Sequence, residues 1–252
     1  MRNPLALAWR LQRGTLIAWS AGFAVFGVIL GGVTQSAVKV TEDSPQIKAI
    51  AERLGGSSGL ADVWFAAFMG LLGLVAAGYA LSAALRLRGE EADGRAKPVL
   101  ACAVSRMRWA ASHLTFAVVG PAVVLGVAGL AAGLVYGLTS GDVSRELPRV
   151  LSAAIVQLPV VWVIVGVTVA LFGVLPRFAA FGGWAVLAAC VLIEEFGRPL
   201  QLSKRLLDLS PFAHVPNLPG ADVSSEPLAW LVLIAASLIA VGLLGLRRRD
   251  VL

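Results

Sequence analysis

Few residues in this chain could do chemistry, and their spacing limits what that chemistry could be. Glu90-Glu91-Ala92-Asp93-Gly94-Arg95 has the pattern EExxxR, which serves peptide hydrolysis inside a membrane when histidines on neighbouring helices complete the site. Gly56-Ser57-Ser58-Gly59 sets serine among glycines, as a serine nucleophile would be, but such a serine must lie in the membrane body beside a histidine. The chain has two histidines, His113 and His214, and they fall on opposite sides of the apolar segments. Neither pattern can therefore be completed, and no catalytic residue is assigned. No GxxxxGK[ST] loop occurs, and neither CxxC nor HExxH is present, so the chain has no phosphate loop and no standard metal site of its own. Cys102 and Cys190 sit at different depths, which argues against a disulfide between them and favours reading both as small apolar residues. Glu194 and Glu195 are adjacent acids at the end of an apolar run, where carboxylates in a membrane are functional candidates.

The elements that hold these residues follow from composition. Of 252 residues, 58% are hydrophobic and 14% charged, and the mean hydropathy is +0.83. Soluble domains are about 25% charged and at most about half apolar, so lipid must cover the excess. A spanning helix needs roughly 20 apolar residues. Six segments qualify, at about 15–38, 60–85, 110–138, 150–174, 178–196 and 228–246. The runs are continuous rather than alternating, which favours helices over a barrel. The expected fold is an all-α polytopic membrane protein, one six-span domain over residues 1–252. The first run starts too late and is too long for a cleaved leader. Thirteen of the 21 Lys and Arg residues fall on the side that holds both termini, close to the span ends, which places the termini in the cytoplasm. Membrane-flanking cations attracted to anionic lipid account for the net charge of +6, so nucleic acid is not an expected partner.

Residues 86–109 form the longest charge-dense stretch between two spans. They hold Arg86, Arg88, Arg95, Lys97, Arg106 and Arg108 together with Glu90, Glu91 and Asp93. Val99, Leu100, Ala103, Val104 and Met107 recur at helical spacing, and Ser105 is placed to cap the helix that starts at Arg106. Lipid headgroups explain the cations, whereas three acids beside an apolar stripe fit a surface that docks another protein. Residues 5–13 predict a short helix lying in the membrane interface, with Trp9 at headgroup depth and Arg10 and Arg13 beside it. Asp62 is expected to cap the second span, after a flexible turn at residues 55–59. Pro121 and Pro159, the latter beside Gln157, each free a backbone carbonyl in a span. Glu194 and Glu195 are expected to reach the outer interface and pair with Arg198. Leu202, Leu206 and Leu209 share one face of an expected surface helix, and residues 209–216 read as a compact cap.

Several of these stretches resemble one family. Arg86-Leu87-Arg88, Glu90-Glu91, Gly94-Arg95, Pro98-Val99-Leu100 and Val104-Ser105-Arg106 with Trp109 resemble the inner loop of a bacterial exporter permease. The opening Leu5-Ala6-Leu7-Ala8-Trp9-Arg10 and residues 209–216 are similar to it as well. The family is the type 2 ABC exporter permeases, in particular the actinobacterial polyketide-antibiotic (tetronasin-like) exporters, and the resemblance covers essentially the whole chain. It implies a plasma-membrane permease that moves a hydrophobic or amphipathic, antibiotic-like molecule outward by alternating access. ATP and magnesium would be bound by a separate ABC ATP-binding subunit, with no cofactor in this chain. Arg88, Glu90, Glu91, Arg95, Ser105 and Arg106 would form a coupling helix seated on that subunit. Trp9, Arg10 and Arg13 would make a second contact. Glu194, Glu195, Pro211, Phe212, His214 and Pro216 would form a gate at the outer face. Members usually carry two six-span halves, and this chain resembles the second, so another half or a second copy is implied. Lys97 stands where an acid is expected. Two other readings stand beside this one: a membrane anchor that recruits a partner without moving solute, and an intramembrane protease of the EExxxR type.

Overall fold

Inside a bilayer no water satisfies a free peptide group, so a continuous apolar run must close its hydrogen bonds within itself as a helix. The computed structural model describes residues 4–43, 56–92, 106–197, 199–220 and 225–248. Among them the elements are α1 (Pro4–Asp43), α2 (Gly56–Ala92), α3 (Arg106–Ser140), α4 (Val143–Ile155), α5 (Leu158–Val174), α6 (Ala179–Phe196), α7 (Lys204–Leu207), a 3-10 turn (Pro211–His214) and α8 (Ser225–Arg248). Six stretches are long and apolar enough to cross a membrane: Ala8–Ala37, Gly59–Glu90, Trp109–Ser140, Val143–Val174, Ala179–Phe196 and Ser225–Arg248. Each contains or overlaps one of the six expected spans. This is an all-α polytopic membrane protein. Six crossings leave Pro4 and Arg248 at one end of the bundle, here the termini end. The opposite end is the distal end.

α1 lies along α3 and α8 along α5, while α2 contacts both α3 and α5, and α4 folds back on α3. Lipid tails are as apolar as leucine, so helices associate through close packing and small residues rather than hydrophobic push. Glycines mark the contacts. A Cβ on Gly27 or Gly31 would meet the carbonyl oxygen of Ala128 or Ala132 of α3 at 2.5 and 2.6 Å. About 100° around α3, Gly129, Gly133 and Gly137 leave room for Ala154, Leu147 and Val143 of α4, at 2.8, 2.9 and 2.7 Å from a Cβ. Gly173 of α5 lies directly on the Gly242 carbonyl of α8. Large apolar side chains such as Ile17, Phe181 and Leu192 point outward, where lipid covers them.

The α3–α4 connection is two residues long. Gly141 takes φ +87°, a backbone region open to glycine at little cost, and its N–H closes on the Gly137 carbonyl at 3.0 Å. Asp142 then caps α4: its Oδ1 accepts from the Arg145 N–H at 3.1 Å and from the Ser144 hydroxyl at 2.9 Å.

Local details depart from the sequence expectations in several places. Residues 5–13 are the opening turns of α1, not a separate interfacial helix. Gly14 is the only weak helix former there and does not break the hydrogen-bond ladder. α2 starts at Gly56, so residues 56–59 are helical rather than a flexible turn, and Asp62 lies inside the helix instead of capping it. The fourth span starts at Val143, which puts Arg145 and Arg149 on α4 rather than in a loop. Pro159 falls in the first turn of α5, after the helix has already broken at Val156 and Gln157, so it starts a helix rather than kinking one. Pro121 does lie within α3. It offers no N–H to the Ala117 carbonyl, and Trp162 brings its indole N–H to the adjacent Val118 carbonyl at 2.9 Å. The surface helix expected over 202–209 is reduced to the single turn Lys204–Leu207.

Candidate functional site

The break between α4 and α5 places Gln157 in the interior. Ile155 ends one helix and Leu158 begins the next, and Gln157 is only 6% exposed. Its side chain reaches to α2, where Gly73 makes room: a Cβ there would lie 2.9 Å from Gln157 Oε1. The amide has no hydrogen-bond partner among the described residues. Gln157 lines a chamber of about 370 Å³ at the distal end, bounded also by Phe68 of α2, Glu194 and Glu195 of α6, and Phe212 and Asn217 of the segment that follows. Among the described residues, no Lys, Arg or His lines this chamber.

The segment over the chamber is held by one serine. The Ser210 hydroxyl, 1% exposed, donates to Glu194 Oε1 at 2.7 Å and accepts the Phe212 N–H at 3.3 Å, which caps the 3-10 turn. His214 Nδ1 lies 3.2 Å from the Ser210 carbonyl, so in the bonding tautomer its N–H donates there. Phe212 is buried in the main core. Glu195 is exposed at the chamber edge and meets no ion pair among the described residues.

A second polar contact lies at the same end. Arg149 of α4 donates from Nη2 to both Asp62 oxygens of α2, at 2.8 and 2.9 Å. Its Nη1 donates to both Glu146 oxygens at 3.1 and 2.9 Å. Two carboxylates share one guanidinium, whose planar fork suits such two-pronged bonding. Nearby, the Ser144 hydroxyl and then the Arg145 N–H hold the Asp142 carboxyl below its usual range.

At the termini end, Arg86 of α2 reaches to α1. Its Nη1 donates to the Leu11 carbonyl at 2.9 Å and its Nη2 to the Thr15 hydroxyl at 2.7 Å. Leu87, Trp109 and Ala110 join Phe172, Ala179 and Leu246 in a small core beneath the residues that lead into and out of the 93–105 stretch. Gln12 Nε2 and His113 Nδ1 are buried without a partner among the described residues. The ring of Trp109 meets His113 edge-on at 5.6 Å. A larger, apolar cavity of about 670 Å³ opens between α5, α6 and α8, with Pro211, His214, Glu226 and Trp230 at its rim.

The residues singled out from the sequence fall as follows. Glu194, Glu195 and Phe212 come together at the chamber, while Pro211 and His214 turn to the apolar cavity and Pro216 is half-buried behind them. The expected Glu194–Arg198 pair cannot be placed, since Arg198 lies outside the described residues; Glu194 is instead engaged by Ser210. Arg88 and Glu90 are half-buried in the last turns of α2, Glu91 belongs to the same helix, and Arg106 opens α3. Arg95, Ser105 and the apolar stripe from Val99 to Val104 lie outside the described residues. Arg10 and Arg13 are exposed on α1, and Trp9 stacks on Phe116 at 6.1 Å. Sequence reasoning missed Ser210, Arg149 with Asp62, Arg86 toward α1, and Gly73. Only the shared depth of Asp62 and Arg149 at the ends of apolar runs hinted at any of these.

The family described as "Multidrug efflux system permease Rv1217c, C-terminal domain" matches residues 1–247. The multidrug efflux system permease protein Rv1217c of Mycobacterium tuberculosis (strain ATCC 25618 / H37Rv) is 43% identical over 251 residues, which is 100% of this chain and 46% of that protein. The chain thus spans about half the length of the curated relative it matches. A match that runs through all six spans, the α4–α5 break and the distal segment leaves one assignment: the chain belongs to the family of the Rv1217c multidrug efflux permease C-terminal domain.

Proposed function

We propose that this chain is the permease unit of an ATP-driven ABC efflux pump in the bacterial plasma membrane. Both termini would face the cytoplasm and the distal end would face outward. The unit would move hydrophobic or amphipathic, drug- or antibiotic-like molecules out of the cell by alternating access. A separate ABC subunit would bind ATP and magnesium. The resemblance to tetronasin-like exporters and the identification of the Mycobacterium tuberculosis relative as a multidrug efflux permease both support this reading.

The observation that carries it is the unbroken course of α2 and α3. Both helices run from the 93–105 stretch to the distal end, and α2 lines the polar chamber there. A helix is stiff along its axis, so a displacement applied at Glu90 would move residues near Gly70 about 30 Å away, at 1.5 Å per residue. Arg86 ties α1 to the same lever. A single six-span unit encloses no path, so a second half or a second copy would complete it. The relative's extra length accommodates such a half.

The test is purification of the tagged chain from its native membrane beside the variant Glu90→Lys/Glu91→Lys/Arg95→Glu. An ATPase subunit at near-equal stoichiometry, lost in the variant, is the expected result. ATPase activity stimulated by a drug would separate a pump from a passive anchor. Absence of an ATPase, or its full retention by the variant, overturns the proposal.

A further inference from the structure

We propose that the distal chamber is a binding site for an amphipathic organic cation, a lipophilic amine or quaternary nitrogen. This deepens the transport reading by naming a ligand class, but it concerns binding by this chain alone.

Three independent features converge on that chemistry. The first is charge: Glu194 and Glu195 both border the chamber, and among the described residues no basic side chain lines it. Arg149, at the same end, is already occupied by Asp62 and Glu146. Two carboxylates at a partly desolvated site favour a cation brought in from outside. The second is Gln157, 6% exposed, whose side-chain amide has no hydrogen-bond partner among the described residues and which lines the same space. Its amide borders the chamber and can exchange a hydrogen bond with a polar group of a ligand there. The third is shape and surface. About 370 Å³ falls within the range of small-molecule pockets and far exceeds a bare metal ion. Phe68 and Phe212 supply aromatic faces, which attract organic cations, and Leu71 and Leu74 supply apolar wall. Phe68 is itself held by stacking on Trp64 at 5.4 Å.

The 3-10 turn places the lid of this site. Ser210 binds Glu194 and caps the turn that carries Phe212, so one carboxylate is positioned by the segment that covers it. Glu195 remains at the exposed edge, where it can meet an incoming cation first.

Ethidium, a planar lipophilic monocation, is a suitable probe, read by fluorescence polarisation with the chain in nanodiscs of zwitterionic lipid. Saturable binding is expected, weakened at least about tenfold in Glu194→Gln/Glu195→Gln. Glutamine can still accept the Ser210 hydroxyl, so the fold should survive. Should the double variant fail to fold, Glu195→Gln alone, at an exposed position with no ion pair among the described residues, should weaken binding by a smaller factor. Asp208→Asn removes an exposed charge of the same distal face outside the chamber and should bind ethidium as the parent does. Nile red, neutral and lipophilic, should be indifferent to all of these changes. Ethidium binding unaffected by the glutamine substitutions, or Nile red lost in parallel with it, would overturn the proposal. Binding that persists when no ATPase co-purifies would sink the pump and keep the site.

Discussion

Arg149 grips both oxygens of Asp62 across 87 residues of sequence, at 2.8 and 2.9 Å, and so joins the distal starts of the second and fourth spans. The two side chains are 27% and 15% exposed. That is too enclosed for a surface ion pair of negligible value and too wet for a fully buried one.

Loss of this contact should be felt through the charge left behind. Arg149→Gln strands Asp62 and Glu146 together, and we expect a cost on the order of 1–2 kcal/mol, discounted for partial solvent screening. A double-mutant cycle with Asp62→Asn, read by thermal unfolding in detergent, should return a clear coupling energy. Strict additivity would show that the pair contributes nothing.

Glycine at the α5–α8 crossing should be intolerant of any branched side chain. Gly173→Val would drive its side chain into the Gly242 backbone, which cannot move aside as a flexible side chain could. The expected loss is on the order of 3 kcal/mol or more, seen as a lower unfolding midpoint or loss of monodisperse protein. Gly32→Ala, with nothing within 4 Å of a Cβ, should be neutral or slightly stabilising.

The α4 cap should respond to acid. Asp142 has its carboxyl pKa lowered below 3.8 by the Ser144 hydroxyl and the Arg145 N–H. A lowered folded-state pKa means that the cap's contribution is present at neutral pH and is lost as pH falls through the folded value, below about 4. The Arg145 amide resonance, followed by NMR through the carboxylate range, should report that transition. Asp142→Asn should remove it while leaving α4 capped.

Ser210 should matter more than its size suggests. Ser210→Ala removes the donor to Glu194 and the acceptor for the Phe212 N–H together. We expect about 1–2 kcal/mol of local destabilisation, seen as faster amide exchange over 209–216 with the membrane spans unaffected. Protection equal to the parent's would mean that the segment is held by Phe212 packing alone.

Arg86 should govern how firmly α1 is attached at the termini end. Arg86→Ala removes two hydrogen bonds to Leu11 and Thr15, and Arg86→Lys can replace at most part of that fork. Exchange of the amides around residues 8–15 should rise several-fold in Ala and less in Lys. Equal exchange in all three proteins would leave α1 held by its glycine contacts with α3.

The span pattern was legible because lipid imposes it: an apolar run of sufficient length has no other way to satisfy its backbone. Helix ends were read less well. Arg145 and Arg149 look like loop residues on polarity and Asp62 like a helix cap, yet all three lie within helices; Arg149 and Asp62 meet across two of them. Pro159 was legible as a disruption but not as a helix start, since only the preceding turn shows that α4 had already ended. Sequence also put Glu194, Glu195 and Phe212 in one region without showing that they border a common space.

The sequence by itself therefore determined what local physics controls: six spans, the side shared by both termini, and the apolar face presented to lipid. Tertiary structure alone decided which helices touch, because small residues permit close approach at many positions and only the assembled bundle selects among them. It also decided the chamber. Gln157, Gly73, Glu194 and Phe212 come from four separate segments, and no spacing along the chain encodes a cavity that exists only once those segments have packed.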